Sequence, residues 1–188
     1  MFSSSMIGRP MTICFVSACS LLTLTALLPP SKADATADVQ QTLQAMYDAQ
    51  NAAILQHDID NTMVPYADDA LFLDDTTGGK SASLAGVRKG WLELFQSPNE
   101  KLTAVSRRID RTTISKTHKA ATLLTVLQIS LSVTGRSGKA VPVEIDEHTQ
   151  FYWVKGENGW RIEQQRITSI DSFRNGKLVR HNRKPVAS

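Results

Sequence analysis

The first half of the chain carries helical spacing interrupted by polar loops. Over residues 38–57 the apolar and small side chains recur every three and four positions, which predicts a long helix with one buried face. Residues 58–63 predict a short second helix. Pro65 ends it, because proline has no amide hydrogen to donate and disfavours helix at the residue before it. Further along, the pattern predicts a strand over residues 70–74, a small polar loop over residues 76–86 and a third helix over residues 87–95.

The second half of the chain predicts strands. Four segments are rich in Val, Ile, Thr and Leu and are separated by turn signals, namely residues 103–116, 120–134, 141–155 and 160–171. Apolar side chains on both faces of residues 120–134 indicate a central strand. Asn175-Gly176 is a strong hairpin signal, and the basic residues 180–188 are expected to form a frayed tail. Helices that precede a run of antiparallel strands predict an α+β fold, a cone-shaped curved antiparallel sheet wrapped around the N-terminal helices.

The first 33 residues are typical of an export signal. They contain no acid, and an apolar, Ser/Thr-rich run over residues 11–28 is followed by two prolines and by small residues before Asp34. We therefore predict cleavage before Asp34, an exported protein that is periplasmic or secreted, and no stable membrane insertion after cleavage. The chain is then divided into a signal peptide (1–33), a main domain (34–171) and a C-terminal hairpin with a basic tail (172–188).

Two other fates of the N-terminal segment stay open. One is an uncleaved membrane anchor, for which 18 residues with many Ser and Thr make a marginal span. The other is a lipoprotein anchored at Cys19, because Val16-Ser17-Ala18-Cys19 resembles a bacterial lipoprotein cleavage box. A lipidated chain would continue with the apolar residues 21–28 where a polar linker is usual. Cleavage before Asp34 is therefore the leading prediction.

The composition argues against several kinds of binding and chemistry. After residue 33 there remain 155 residues with 19 basic and 18 acidic side chains, which argues against a nucleic-acid binder driven by net charge. Both cysteines, Cys14 and Cys19, lie inside the predicted signal, so the mature chain would have no disulfide and no thiolate nucleophile. The four histidines have no metal-ligating spacing. We therefore expect neither a bound metal nor a cofactor.

Asp74 is the most informative single residue. It ends an apolar strand just before the polar loop, at the expected lip of a cavity inside the cone. Desolvation at an apolar lip favours the neutral form of a carboxyl group, which can then take and return a proton near neutral pH. Asp74 is therefore a candidate general base. The alternative interpretation is an Asp that caps the turn over residues 75–77.

A later strand offers further polar side chains. Along residues 143–153 every second side chain shares one face, which places Glu147, Thr149 and Phe151 together among apolar neighbours. If that face lines the cavity, Glu147 and Thr149 are polar groups in an apolar wall, which is the usual composition of a ligand site. If it faces outward, Glu147 is an ordinary surface acid.

Two other patterns carry less weight. Arg107 and Arg111 are predicted to share a strand face, where they either bind an anion or pair with acids on the next strand. Gly79-Lys80-Ser81 resembles the end of a phosphate-binding loop, but Asp74 stands where the first glycine is required. We therefore interpret residues 76–86 as a flexible loop at the cavity mouth.

Several motif blocks together carry a resemblance to a known family. They are Asp58-Ile59-Asp60, the run Tyr66-Ala67-Asp68-Asp69-Ala70-Leu71-Phe72-Leu73-Asp74, the run Gly86-Val87-Arg88-Lys89-Gly90-Trp91, and Gly159-Trp160-Arg161-Ile162. Over residues 39–169 the chain resembles the nuclear transport factor 2-like superfamily, which includes ketosteroid isomerase and the polyketide-cyclase-like (SnoaL-like) proteins. The resemblance implies the cone fold, a pocket whose candidate ligand-binding residues include Tyr66 and Trp91, and a homodimer formed through the sheet.

Ketosteroid isomerase suggests roles for individual residues. It uses an Asp base with a Tyr and a protonated Asp as oxyanion donors. By resemblance Asp74 matches the base, Gln50 falls at the position of the Tyr with Tyr47 one helical turn earlier, and the protonated Asp falls at about Thr149 to Phe151. No carboxylic acid lies there, so the resemblance implies an altered oxyanion hole. Gln50 and Thr149 would then hydrogen-bond a ligand carbonyl.

Three functions follow from these patterns. The leading hypothesis is an exported pocket domain without catalysis, which binds a small, largely apolar molecule or a partner segment. The alternative is a cofactor-free isomerase or lyase in which Asp74 is the general base and Gln50, Thr149 or Glu147 polarises the substrate. The second alternative is a dimeric structural module that uses its sheet for assembly. None of the three has a nucleic acid as its partner.

Overall fold

The computed structural model describes residues 32–183, with side chains from residue 36 onward. Most of the predicted signal peptide and residues 184–188 of the predicted tail lie outside the described residues. The helices are α1 (Lys32–Leu55), α2 (Ile59–Met63) and α3 (Leu84–Phe95). The strands are β1 (Tyr66–Asp74), β2 (Lys80–Ala82), β3 (Glu100–Ile114), β4 (Ala120–Thr134), β5 (Ala140–Gly156), β6 (Gly159–Arg174) and β7 (Lys177–Arg183).

The seven described strands form one sheet. Their order is β2-β1-β6-β5-β4-β3, and β7 pairs with the C-terminal half of β6. The sheet is curved and unclosed, and its strands pair antiparallel except β1 and β6, which run parallel. The predicted α+β cone is therefore confirmed, as is the central position of β4 between β3 and β5. The parallel pairing joins segments that are distant in the chain, so no local pattern predicts it.

Helix α1 ends two residues before the predicted limit because of the backbone at His57. This residue has a positive φ of 57°, and the amide of Asp58 donates to the carbonyl oxygen of Ala53 at 2.9 Å. Such a bond, reaching back five residues, is the Schellman arrangement that closes many helix C-termini. The carboxylate of Asp58 then caps α2 by accepting from the amide of Asn61 at 3.1 Å. The turn between the two helices is thus fixed by local hydrogen bonds, while α1 packs against β3.

The main core lies between α1 and the inner face of the sheet. Tyr47 packs edge-on against Trp153 with ring centroids 5.4 Å apart, and its hydroxyl accepts from the indole nitrogen of Trp153 at 3.0 Å. Phe151 is completely buried beside them. Large aromatic side chains of this kind contribute much of the apolar area that a core buries. The face of β5 with Glu147 and Thr149 therefore points inward, as it must if it is to line a cavity.

The segment that we expected to be a loop contains regular structure. Asp75–Thr77 form a short 3₁₀ helix, and β2 pairs antiparallel with the end of β1. Ser83 caps α3 by accepting from the amide of Gly86 at 3.2 Å, so this helix begins three residues earlier than predicted. The mouth of the cone is therefore framed by a strand and a helix N-terminus.

A β-bulge in β3 separates two arginines that simple alternation places together. Arg107 pairs with Leu127 and Arg111 pairs with Leu124, and the register shifts between Ile109 and Arg111. Arg107 lies on the inner face and is 6% exposed, whereas Arg111 is exposed on the opposite face. The prediction that the two share a face is wrong because one extra residue inverts the alternation.

The C-terminal hairpin follows the Asn-Gly prediction. Asn175 and Gly176 have φ angles of 51° and 72°, as a tight turn between antiparallel strands requires. Residues 180–183, which we expected to be frayed, belong to β7 and pair with β6. Among the described helices, none combines the length and the apolar character that crossing a membrane would need.

Candidate functional site

A cavity of about 280 Å³ opens between α3, β1, β2 and the inner face of the sheet. Much of its wall is apolar, from Phe72, Leu73, Ala82, Val87, Trp91, Leu127 and Ile167, with Gly90 at its edge. Polar side chains come from five strands, namely Tyr66, Asp74, Lys80, Arg107, Glu147 and Gln165. An apolar wall with a few convergent polar groups is typical of a small-molecule site.

Asp74 combines the two interpretations that the sequence allowed. Its Oδ1 accepts from the amide of Thr76 at 2.8 Å and from the hydroxyl of Thr76 at 2.6 Å, so it caps the short 3₁₀ helix. The same half-buried side chain also lines the cavity. The capping bonds hold the carboxylate at the lip. A structural role and contact with a ligand are therefore compatible.

Glu147 lies in a chain of hydrogen bonds on the cavity wall. Its Oε1 accepts from the hydroxyl of Thr149 at 2.8 Å and, more weakly, from Nε2 of Gln165 at 3.5 Å. The hydroxyl of Tyr66 donates to Oε1 of the same Gln165 at 2.7 Å. Burial raises the pKa of Glu147, because its charged form is poorly solvated below the protein surface, although the side chain still touches the cavity. Burial likewise raises the pKa of Tyr66.

Arg107 brings a guanidinium to the same wall. Its Nη1 donates to Oε1 of Gln50 at 2.6 Å, and Nε2 of Gln50 donates to the carbonyl oxygen of Thr62 at 2.9 Å. The guanidinium carbon lies 4.5 Å from the ring centre of Tyr47 and 5.1 Å from that of Phe151. Cation–π contacts and one fixed hydrogen bond therefore hold this buried side chain in place.

The structure divides the candidate residues into two groups. The cavity wall includes Asp74, Tyr66, Trp91 and Glu147. Tyr47, Gln50, Thr149 and Phe151 are buried behind the wall and support the residues that line it. Gln50 in particular faces Arg107, and burial raises the pKa of Tyr47. Within residues 32–183, no three His, Cys, Asp or Glu side chains are grouped so that they could hold a metal ion.

Three polar side chains of the cavity lining were not predicted as site residues, namely Lys80, Arg107 and Gln165, although Lys80 lies in the segment that we expected at the cavity mouth. A signal for Arg107 is present in the sequence, because it alternates with Val105 and Ile109 and therefore shares their apolar face. No comparable signal marks Gln165. Its role depends on β1 lying beside β6, a pairing that is not visible in the local pattern.

Comparison with solved structures gives the same architecture. A putative scytalone dehydratase from Novosphingobium aromaticivorans DSM 12444 superposes with a TM-score of 0.61 at 10% identity, covering 83% of this chain and 99% of that one. An NTF-2-like protein of unknown function from Silicibacter pomeroyi DSS-3 has a TM-score of 0.50 at 13% identity, covering 74% and 98%. A ketosteroid isomerase-like protein from Erwinia carotovora atroseptica SCRI1043 also reaches 0.50, at 14% identity, covering 72% and 95%. No family model and no curated protein matches the sequence.

The cone and its cavity define an α+β pocket fold. The chain has the nuclear transport factor 2-like fold, as the motif blocks predicted. Identities this low establish the fold alone, since proteins that share a fold can perform unrelated functions.

Proposed function

We propose that the protein binds a small, largely apolar molecule inside the cone. The observation that carries this proposal is the cavity of about 280 Å³, in which an apolar wall meets a connected set of polar side chains. The apolar wall would supply binding energy by removing the ligand from water. The polar set would fix the orientation of one polar group on the ligand.

The position of Gly90 offers a way to block the cavity. This residue lies on α3 at the cavity wall, and a Cβ built on it would have no atom within 4 Å. A phenylalanine there can therefore enter the cavity without backbone strain. Lys89→Phe is the matched control, because Lys89 is an exposed neighbour on the same helix and is not part of the cavity lining.

The test begins with native mass spectrometry of the purified protein, which detects any retained small molecule. A panel of aromatic compounds that includes both uncharged and acidic members is then titrated by calorimetry into wild type and both variants. We expect Gly90→Phe to weaken binding by at least about tenfold and Lys89→Phe to leave it unchanged. A wild-type protein that retains nothing and binds no member of the panel would contradict the proposal.

A cofactor-free isomerase or lyase is the second candidate. It is favoured by the presence of two carboxyl groups, Asp74 and Glu147, on the wall of one cavity. Asp74 would take a proton from a carbon next to a substrate carbonyl, while neutral Glu147 would donate a hydrogen bond to the carbonyl oxygen. Two proteins of the same fold are described as ketosteroid isomerase-like and as a putative scytalone dehydratase, and both names belong to this kind of chemistry.

Asp74→Asn separates the two candidates. Asparagine keeps an acceptor oxygen for the turn but is not a base. An enzyme should lose turnover of enolisable carbonyl compounds and keep their binding, whereas a binder should change only in affinity. Asp69→Asn, an exposed acid of the same strand, is the control. Turnover that survives in Asp74→Asn would exclude Asp74 as the base.

We further propose that residues 1–33 direct export and are removed, and that the mature chain forms a homodimer through the outer face of its sheet. The outer face presents Leu124 and Tyr152, which are 39% and 41% exposed. Native mass spectrometry of the exported protein would report both properties. A mass that begins at Cys19 or Met1, or a monomer at micromolar concentration, would contradict them.

A further inference from the structure

We propose that the ligand is an acid: the cavity takes an apolar molecule that carries a carboxylate, and Arg107 pairs with that carboxylate. This inference rests on the proposed binding function and names the chemical class of the molecule bound. It starts from Arg107, a cationic side chain that is both buried and part of the cavity lining.

Arg107 forms no ion pair within the part of the chain that the structure describes, although the carboxyl group of Glu147 on the same cavity wall lies close enough to interact with its charge. Arg107 is 6% exposed, and none of the ion pairs among residues 32–183 includes it. Its described hydrogen bond goes to the neutral amide of Gln50. A buried charge without a counter-charge is unfavourable, so proteins normally pair such groups. A ligand carboxylate would supply the missing charge.

The guanidinium also has a suitable edge for a carboxylate. Nη1 is engaged by Gln50, whereas Nε is buried and has no hydrogen-bond partner among the described residues. Nε and Nη2 form one planar edge with two parallel donors, which matches the two oxygens of a carboxylate. Because Nε exposes almost no surface, a ligand carboxylate would contact Nη2 first and would reach Nε after a small shift of the side chain. The same edge of Arg166 holds Asp75, with Nε and Nη2 donating at 2.9 and 3.2 Å. The fold therefore already contains the geometry that we propose for Arg107 and the ligand.

The neighbours of Arg107 hold it in a defined orientation. The rings of Tyr47 and Phe151 contact the guanidinium, and Gln50 is itself fixed by its bond to the carbonyl oxygen of Thr62. A side chain that is ordered before binding loses little entropy when a ligand arrives. Aromatic and amide groups thus set the orientation of the guanidinium without neutralising its positive charge.

The charges around the cavity allow an acid to enter. Burial raises the pKa of Glu147 and so weakens its tendency to carry the negative charge that would repel an acid, while the charge of Arg107 acts in the opposite direction. Oδ1 of Asp74 is bound to Thr76 at the lip. Lys80, on β2, adds a second positive charge to the lining. An incoming carboxylate would therefore meet two cations, Lys80 at the mouth and Arg107 deeper in the wall, beside the carboxyl groups of Asp74 and Glu147.

The experiment compares acids with their uncharged amides. Cinnamate is paired with cinnamamide and octanoate with octanamide, and each is titrated by calorimetry into the full chain as purified. The variant is Arg107→Met, and Arg111→Met is the control, because it removes the same charge from the outer face of the same strand. We expect wild type and Arg111→Met to bind at least one acid at least about tenfold more tightly than its amide, and Arg107→Met to lose that preference.

Each outcome decides a separate point. If acid and amide bind wild type equally, or if Arg107→Met keeps the preference, the acid proposal is overturned and the proposed pocket function stands. If neither member of either pair binds wild type, the pocket function is contradicted and the acid proposal with it. Arg107→Lys keeps the charge but not the planar edge, so we expect only part of the preference to remain. Even if a substitution at position 107 prevents folding, the comparison in wild type decides whether the cavity prefers an acid, and Lys80→Met then shows whether Lys80 accounts for that preference.

Discussion

Arg166 and Arg107 are two arginines of one sheet that are held in opposite ways. Arg166 donates from Nε and Nη2 to both carboxylate oxygens of Asp75, whose side chain is 11% exposed. Arg107 is more deeply buried than Arg166, yet amide and aromatic groups surround it. Among residues 32–183, Asp75 forms an ion pair with Arg166, whereas no carboxylate forms an ion pair with Arg107. Burial alone therefore does not separate a structural arginine from one that is available to a ligand, whereas the identity of its partners does.

The pair between Arg166 and Asp75 also frames the mouth of the cavity. Asp75 follows Asp74 directly and begins the short 3₁₀ helix, so the bond to β6 holds this turn against the sheet. Two adjacent aspartates thus have different surroundings. Asp75 is engaged by an arginine, while Asp74 caps the turn and lines the cavity.

Breaking the ion pair between Arg166 and Asp75 should have the largest effect on stability. Arg166→Met leaves the carboxylate of Asp75 buried without its partner, and we expect the free energy of unfolding to fall by about 2 kcal/mol. Urea denaturation measures this change. Arg174→Met, at the exposed end of the same strand, should stay within about 0.5 kcal/mol of wild type. Equal stability of the two variants would show that the pair contributes nothing.

Substitutions of Asp74, the neighbouring aspartate, should have a smaller effect on the free energy of unfolding. Asp74→Ala removes the acceptor for the amide and hydroxyl of Thr76, and we expect a loss of about 1 kcal/mol in the free energy of unfolding. Asp74→Asn, which keeps an acceptor oxygen, should lose only about 0.3 kcal/mol. Thermal unfolding of the two variants side by side checks this order. A stable Asp74→Ala variant would remove the capping role and leave only the cavity role.

The unpaired arginine should respond differently from Arg166. Arg107→Met removes a buried charge that forms no ion pair in the described chain but also removes the hydrogen bond to Gln50, so we expect the two effects to offset and the free energy of unfolding to change by less than about 1 kcal/mol. Arg111→Met again serves as the control for charge. A loss in Arg107→Met as large as the loss in Arg166→Met would mean that Arg107 is a structural residue, and the contrast between the two arginines would disappear.

We expect the smallest effect in the way the free energy of unfolding depends on pH. Because burial raises the pKa of Glu147, the folded state holds this proton over a range where the unfolded state has released it. The stability associated with this proton is present below the ordinary pKa of a glutamate and is lost as the pH rises through the raised value. Glu147→Gln should therefore lose less stability than wild type over this interval of rising pH. Urea denaturation across that pH interval measures the difference. Glu144→Gln, which changes an exposed acid of the same strand, is the control. If the free energy of unfolding changed with pH in the same way in wild type and in Glu147→Gln, the burial of this carboxyl would be contradicted.

Local patterns predicted much of the fold for physical reasons. Alternation along β4 gave its limits as the structure has them, and the Asn175-Gly176 pair marked a turn that needs two positive φ angles. Alternation along β5 also put Glu147 and Thr149 on one face, and the structure then showed that this face points inward. These features depend only on neighbouring residues, so a single sequence is enough to predict them.

The rest of the site depends on contacts between distant segments. Gln50 and Arg107 are 57 residues apart, and Tyr66 and Gln165 are 99 apart, so no local pattern joins them. The bulge before Arg111 inverts the alternation within β3, and one extra residue leaves little trace in the composition. The partners of a buried side chain therefore had to come from the structure, even where its strand was correctly predicted.

The most direct test of the account observes the two arginines while a ligand binds. In protein labelled with ¹⁵N, the Nε–H resonances of Arg107 and Arg166 are assigned by substitution and followed during titration with cinnamate and, separately, with cinnamamide. We predict that cinnamate shifts the Arg107 resonance and leaves that of Arg166 in place, and that cinnamamide shifts neither to a comparable extent. An Arg107 resonance that stays fixed while cinnamate saturates the protein would contradict the central claim.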